Sequence, residues 1–433
     1  MEREREPGTV VEVGYAQGWD LTARAPWRPL SAEEARERDA AGLPYVAEYR
    51  IPGREAPVEV RLVSWPDHHV GLWVYDEQGR RTHEADYRLL DGDRLLTRIT
   101  RIWRYAGPDT AEFDEEAPQV TYTLHPDTRG IVSHAPRGSK GSRRETLADV
   151  PDGEKWRDRP AFEDWPVISA QVQGLAEPVT LRAAATVAGR GADTDTDTAV
   201  DTEPAGLWRA PRPGTAGPVD ALFRPGTRMT TSAYPDMTVV EPRRSGTLNV
   251  PSGLLAIDCP HHAKGPRLTV AVPPGEHVLE EAQIAFGYHC MYDDRWVDTT
   301  EPTAVRLRVS EEPAVSWEMA LAPEDDVRLL QNGHAYGFGT DGATGAFADA
   351  VAWGPLQERV DGAMDHNDPD DAEDFTGSMF LLRTREPESG AELVAFAVCS
   401  DGYHPAWVGR SAEGDVVGVV VVVDEMPALA DAP

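Results

Sequence analysis

Positive charge and sulfur are scarce in this chain. Its 433 residues hold 42 Lys or Arg against 74 Asp or Glu, a formal net charge of −32, and lysine occurs only at Lys140, Lys155 and Lys264. A field of that sign repels phosphate backbones and anionic headgroups, which excludes nucleic acid and membrane surfaces as expected partners and leaves a basic protein as a favoured one. The three cysteines, Cys259, Cys290 and Cys399, are odd in number and widely spaced, unlike a secreted disulfide framework, so reduced thiols are expected. No run approaches the roughly 20 apolar residues of a membrane span, and the first residues, Met1 to Pro7, alternate Glu and Arg where a signal peptide needs an apolar core, so a cytoplasmic protein is expected. Catalytic signatures are missing as well. There is no Gly-x-Ser-x-Gly elbow, no phosphate loop ending in Lys and no His-Glu-x-x-His pair. An enzyme is therefore the less favoured class, and no cofactor is expected.

What is present is period-two hydrophobicity. Val58, Val60 and Leu62 alternate with Glu59 and Arg61; Val70 to Tyr75 is an apolar run stopped by the turn Asp76-Glu77-Gln78-Gly79; Ile99 and Trp103 oppose Arg98 and Thr100; Val120, Tyr122 and Leu124 oppose Thr121 and Thr123. Antiparallel hairpins with one solvated face explain this pattern. The second half repeats it at Leu268, Val270 and Val272, at Val305, Leu307 and Val309, and at Val315, Trp317, Met319 and Leu321. Two continuous apolar runs, Leu393 to Val398 and Val416 to Val423, predict central strands buried on both faces. One helix is well marked, with Ser31 and Glu34 forming a capping box, good helix formers from Ala32 to Ala41 and Gly42 as the stop. A second, short helix is expected to start near Gly345 and run through Phe347, Val351 and Trp353, with Thr344 as its cap.

The fold class that follows is mainly β, a β-rich α+β arrangement of two domains of predominantly antiparallel sheet. The stretch around Asp193-Thr-Asp-Thr-Asp-Thr198, flanked by Gly and Pro, cannot form a core. It divides the chain into residues 1–188, an acidic Pro/Gly linker at 189–225, and residues 226–433.

The second half carries a family resemblance. Gly246-Thr-Leu-Asn-Val-Pro-Ser-Gly-Leu-Leu-Ala-Ile-Asp258, Pro273-Pro-Gly275, Val305-Arg-Leu-Arg-Val-Ser310, Tyr336-Gly-Phe-Gly-Thr-Asp341-Gly-Ala-Thr-Gly345 and Asp401-Gly-Tyr403-His-Pro405-Ala-Trp407-Val-Gly409 together resemble the bacterial domain of unknown function 4241 over about residues 235–425. The resemblance implies no activity and no site residues. The acidic stretch Asp365 to Asp371 departs from the family pattern, and residues 1–190 resemble no family.

Candidate chemistry is sparse. Asp341, Asp349 and Asp401, with Thr344, Tyr403 and Trp407, could gather at one sheet end and bind a small ligand beside a helix start. Cys259, His261 and His262 with His289 and Cys290 offer the ligand types zinc prefers, but neighbours 289 and 290 on a strand point to opposite faces. Asp67-His68-His69 reads as a solvated loop, and the acidic stretch Asp365 to Asp374 as a surface loop without calcium-loop spacing. The expected function is a protein-binding module, an antidote-like partner of a basic toxin. The alternative is an enzyme or small-ligand sensor with a carboxylate-lined site in the C-terminal domain.

Overall fold

The computed structural model describes residues 9–164, 179–184, 203–262, 265–292, 294–366, 373–375 and 378–430. The chain divides into two compact units, Met1–Arg212 and Pro213–Pro433. Both are mainly β, and nearly all strand pairs are antiparallel, as the alternation predicted.

In the first unit one meander sheet dominates. Strands β1 (Val10–Asp20), β3 (Tyr45–Arg50), β4 (Glu59–Ser64), β5 (His69–Tyr75), β6 (Arg81–Leu90), β7 (Arg94–Trp103), β8 (Gln119–Leu124), β9 (Gly130–Ala135) and β10 (Arg143–Leu147) lie side by side in that order. β2 (Ala25–Leu30) also pairs with β1, β11 (Trp156–Asp158) pairs with β7, and β12 (Thr180–Ala183) adds the one parallel pair among the described residues, on β1. Helix α1 (Ala32–Ala40) has the predicted capping box, Gly42 sits at φ +70°, where glycine is favoured, and a single helical turn, α2 (Asp152–Lys155), leads into β11.

Alternate residues sort onto two covered faces. Tyr45, Ala47, Tyr49, Val63, Val70 and Leu72 form one core with Ala35 of α1, while Val46, Val60, Leu62, Trp73 and Tyr75 form another with Trp19 and Ala210. The single solvated face expected for β4 is therefore absent. Glu59 and Arg61 are fully buried and paired with each other, and the Arg61 guanidinium stacks on the Tyr49 ring at 4.7 Å. The cover comes from sequence-distant pieces, Phe162, Val179 and Leu181, which local alternation cannot announce.

The second unit is layered. Its larger sheet has the order β20 (Ser316–Met319), β27 (Ala406–Arg410), β28 (Val416–Val422), β19 (Trp296–Arg308), β18 (Gly275–His289), β14 (Met237–Val239), β13 (Arg228–Thr230), β29 (Ala428–Leu429), and β15 (Arg243–Val250) also lies on β18. The smaller one runs β17 (Leu268–Ala271), β16 (Leu254–Asp258), β22 (Thr344–Asp349), β25 (Glu392–Ala397), β24 (Phe380–Arg385), β23 (Glu373–Asp374). Leu279, Val305, Leu307, Val419 and Val421 of the larger sheet meet Leu255, Ile257, Phe347, Val394 and Phe396 of the smaller one in the main core.

The outer faces are covered too. A 3-10 turn, Val219–Phe223, packs on the larger sheet with Met229, Ile284 and Val422. Helix α3 (Trp353–His366) lays Trp353, Leu356 and Val360 on Ala256, Ala346, Ala348 and Ala395, small residues that let a helix approach closely. Two covered faces explain why β25 and β28 read as unbroken apolar runs.

Two expectations change. The helix expected from Gly345 is strand β22 up to Asp349, and α3 starts only at Trp353. Gly345 is needed because a Cβ there would lie 2.7 Å from both the Phe338 and Phe396 rings. Of the expected linker, residues 189–202 lie outside the described set, whereas residues 207–210 pack on β1 and 219–223 on the second unit's sheet.

His69 on β5 yields a pH prediction. Burial pushes its pKa down to about 4 from the ordinary 6.5, against the pull of Asp86 3.6 Å from its Nε2 and the weaker pull of Asp67, and with help from Arg88. The folded unit keeps this ring neutral while the unfolded chain protonates it below pH 6.5. Stability should thus be lost as pH falls from 6.5 toward 4, by about 3 kcal/mol at the low end. Comparing urea melts of wild type and His69→Gln across that window checks it; equal pH dependence would refute the assignment.

Candidate functional site

The long hairpin of the second unit carries the most distinctive surface. β14 pairs with β18 no further than Met237↔Phe286, and β28 pairs with β19 only from Ala304 to Arg308. Beyond those points Gly287 to His289 and Trp296 to Asp298 pair with each other alone, so the hairpin leaves the sheet as an arm. Pro302 stands on its β19 edge and has no N–H to offer an added strand.

The arm's two faces differ. Tyr234, Phe286 and Tyr288 cluster on one, with the Tyr234 and Phe286 ring centroids 4.5 Å apart. On the other, Thr238, Ala285, Gly287, Trp296, Asp298 and Thr300 share one side by register, and with Asp236 they line an open groove of about 550 Å³. Gly287 makes room for the indole, since a Cβ there would fall 2.3 Å from Trp296 Cζ2. Trp296 donates its Nε1 hydrogen bond to Asp298 Oδ1 at 2.8 Å, and its ring meets His289 edge-on at 5.2 Å. Asp236 is held by Arg228 at 2.5 Å.

At the tip Met291 is 85% and Tyr292 92% exposed, and Trp296 is 57% exposed. Between His289 and Glu301 the sequence places Asp293, Asp294, Asp298 and Glu301 against the single Arg295. An aromatic face beside an excess of carboxylates is chemistry for a guanidinium or ammonium group.

A second concavity lies at the end of β16. The Asp258 carboxylate is buried and accepts hydrogen bonds from Cys259 N–H (2.7 Å) and Arg267 N–H (2.5 Å), closing the loop between β16 and β17. His262 Nδ1 lies 3.4 Å from Asp258 Oδ1, and Gln357 of α3 holds the His262 carbonyl at 2.9 Å. Asp258, His261, His262, Arg267 and Glu324 line an open cleft of about 640 Å³. Arg267 is bound by Asp325, Glu324 and the Gly337 carbonyl.

The residues expected to form one ligand site are dispersed. Asp401 accepts Ala343 N–H at 3.1 Å at the start of β22, and Asp341 is exposed in the same turn. Asp349 ends that strand, some 17 Å away at the ordinary rise per residue. It is buried and structural: Oδ1 accepts Val351 and Ala352 N–H, starting the turn into α3, and Oδ2 accepts Ser252 N–H. Thr344, expected as the helix cap, instead bonds the Gly342 carbonyl within the turn. Trp407 is core, packed with Val420 and Met237. Tyr403 is 77% exposed on β26 (Gly402–His404), where its ring and that of His262 both border Gly339 of β21 (Phe338–Thr340).

The mixed Cys/His set is divided as well. Cys259 is buried at the end of β16 with His261 half-buried beyond it, whereas His289 and Cys290 belong to the arm. No group of three or more His, Cys, Asp or Glu able to hold a metal occurs among the described residues. Asp67 and His68 do form a hairpin turn, but His69 is buried rather than solvated. Residues 367–372 of the acidic stretch lie outside the described residues. Sequence reasoning missed the arm because residues 287–301 carry no apolar alternation; the available signal was Gly287 and Trp296 flanking a short acidic turn.

The motifs Gly246 to Asp258 and Asp401 to Gly409 sit on β15 and β16 and on β26 and β27, within this one unit. Residues 248–421 match the model of a protein family of unknown function, DUF4241. The matched segment holds the cleft at the end of β16, the whole smaller sheet and most of the larger one, whereas Asp236 and Thr238 of the arm groove precede it; the first unit has no family match. No curated protein and no solved structure matched the chain. Among the described residues no helix is long and apolar enough to cross a membrane.

Dispersal makes a stability prediction. Asp349→Ala should cost about 2–4 kcal/mol, because three backbone N–H groups lose their acceptor, while Asp341→Ala should leave stability unchanged. Denaturant midpoints of the two variants would decide.

Proposed function

We propose that the C-terminal unit binds a basic segment of a partner protein on the groove of its β18–β19 arm, as an antidote-like protein would hold a basic effector. The observation that carries this reading is the joint placement of the exposed Trp296 ring and the Asp298 carboxylate over Gly287. Asp298 Oδ2 and the open indole face offer an arginine side chain a charged acceptor and a surface to stack on. The net charge of −32 draws a basic partner in, while the aromatic groove selects among basic groups.

Charge alone would bind polycations without regard to the groove, so the test uses a neutral substitution. A fluorescein-labelled nona-arginine peptide should bind the full chain better than nona-lysine, and Trp296→Ala should weaken the arginine peptide about tenfold with net charge unchanged. Asp298→Asn should do likewise. Binding that is indifferent to Trp296 and to the Arg/Lys exchange would overturn the reading.

A second reading, an enzyme or small-ligand site, has one observation in its favour: a buried carboxylate directed at Nδ1 of a half-exposed histidine in a cleft. Asp258 would fix the Nδ1 proton and leave Nε2 to take a proton from water as hydroxide adds to an acyl carbon. p-Nitrophenyl acetate turnover above buffer, abolished by His262→Ala, would support it. A rate equal in the variant and the wild type would end it.

A further inference from the structure

On the second covered face of the first unit, Trp208 occupies a slot on strand β5. Residues His69, Gly71 and Trp73 share that face. Gly71 is the floor: a Cβ there would lie 2.4 Å from Trp208 Cζ2 and 2.8 Å from His69 Cε1. Trp73 forms a wall, with its ring 6.4 Å from Trp208 and 5.8 Å from Trp103, and Arg81 lies 4.9 Å from the Trp73 ring on the cation side.

Trp208 arrives on a short strap. Leu21 N–H bonds the Gly206 carbonyl at 2.9 Å, Trp208 N–H bonds the Trp19 carbonyl at 2.8 Å, and an exposed Arg212–Asp67 contact of 3.3 Å ends it. The segment is fastened by the Asp20↔Leu207 bridge, by Leu207 against Gly18 and by buried Ala210 as well as by the indole, so Trp208 is the ring of a docked strap whose own side chain stays partly exposed.

The slot's polar edges are unused. Trp73 Nε1 and His69 Nδ1 are both buried without a hydrogen-bond partner among the described residues. A buried donor or acceptor left empty costs about 1–3 kcal/mol. The two atoms belong to residues two positions either side of Gly71, on the face of β5 that Trp208 covers.

We propose that this slot is a binding site for a flat, purine-sized heteroaromatic ligand with a hydrogen-bond donor at one edge and an acceptor at the other, and that Trp208 is its tethered occupant. Such a ligand would donate to His69 Nδ1 and accept from Trp73 Nε1, both left empty by the indole, while keeping the tilted ring contact with Trp73. The strap would lift as the ligand enters, so that apparent affinity is divided by the fraction of molecules with the slot open.

Adenine and indole are the probes, titrated calorimetrically into the full chain. Trp208→Ala should bind adenine about tenfold or more tightly than wild type, since the competing ring is gone. Trp73→Phe in that background should erase the preference for adenine over indole, because the Nε1 donor is lost while the smaller ring remains equally available to both probes. Should Trp208→Ala fail to fold, Trp208→Leu empties the aromatic slot with less loss of apolar volume. Absence of adenine binding in a folded Trp208 variant, or adenine binding unaffected by Trp73→Phe, overturns the proposal.

Discussion

The backbone ladder between β18 and β19, running from Val278↔Arg308 out to His289↔Trp296, is the constraint on which the C-terminal unit depends. Its inner half supplies Leu279, Val305 and Leu307 to the core between the sheets and Ile284 and Ala304 to the core behind them. Because a strand alternates its side chains, the same ladder that anchors these residues dictates which side of the outer half each residue takes. Thr238, Ala285, Gly287, Asp298 and Thr300 then fall on one side without any choice of loop conformation. A one-residue slip would exchange that groove for the Tyr234–Phe286–Tyr288 face and expose the core residues at the same time. The register is thus protected by burial far from the arm, and the surface that the arm's strands carry inherits that precision.

The arm also accounts for how an acidic protein avoids indiscriminate association. A bare hairpin with open edges invites strand addition, yet Pro302 on one edge and the run of carboxylates blunt that route. What remains accessible is side-chain chemistry: one indole seated on a glycine, with a carboxylate fixed beside it by the indole's own N–H. Fixing one carboxylate oxygen orients the other, which lowers the ordering cost a basic group must meet on binding.

Much of the fold was legible because burial follows period. The unbroken apolar runs at β25 and β28, the capping box of α1 and the alternation of β17 all appear where residue pattern alone placed them. The misses have a common physical origin in contacts between distant residues. Thr344 to Asp349 carries the small residues of a helix start, but Gly345 is small because Phe338 and Phe396 press on it, and Ala346 and Ala348 are small because α3 crosses there. Glu59 and Arg61 mimic a solvated face, although Phe162 and Leu181 cover them. For the candidate sites, the sequence shows which residues could do chemistry but not which strand ends meet. Asp341 and Asp349 are eight positions apart and sit at opposite ends of β22.

Where local rules are broken, the breaks differ in kind. The Glu59–Arg61 pair is buried charge in which each partner supplies the other's counter-charge and Tyr49 covers the guanidinium, although Glu59 Oε2 accepts no hydrogen bond among the described residues. The slot under Trp208 differs: its rings are in contact, yet Trp73 Nε1 and His69 Nδ1 have no hydrogen-bond partner among the described residues. The arm breaks the rule from outside, holding Met291, Tyr292 and Trp296 in water where nothing in the fold needs them. A buried ion pair costs desolvation that its mutual attraction offsets. Unmet hydrogen-bonding capacity and uncovered aromatic surface are standing free-energy costs that another molecule can relieve, which is the physical ground on which the arm and the slot are proposed as binding places.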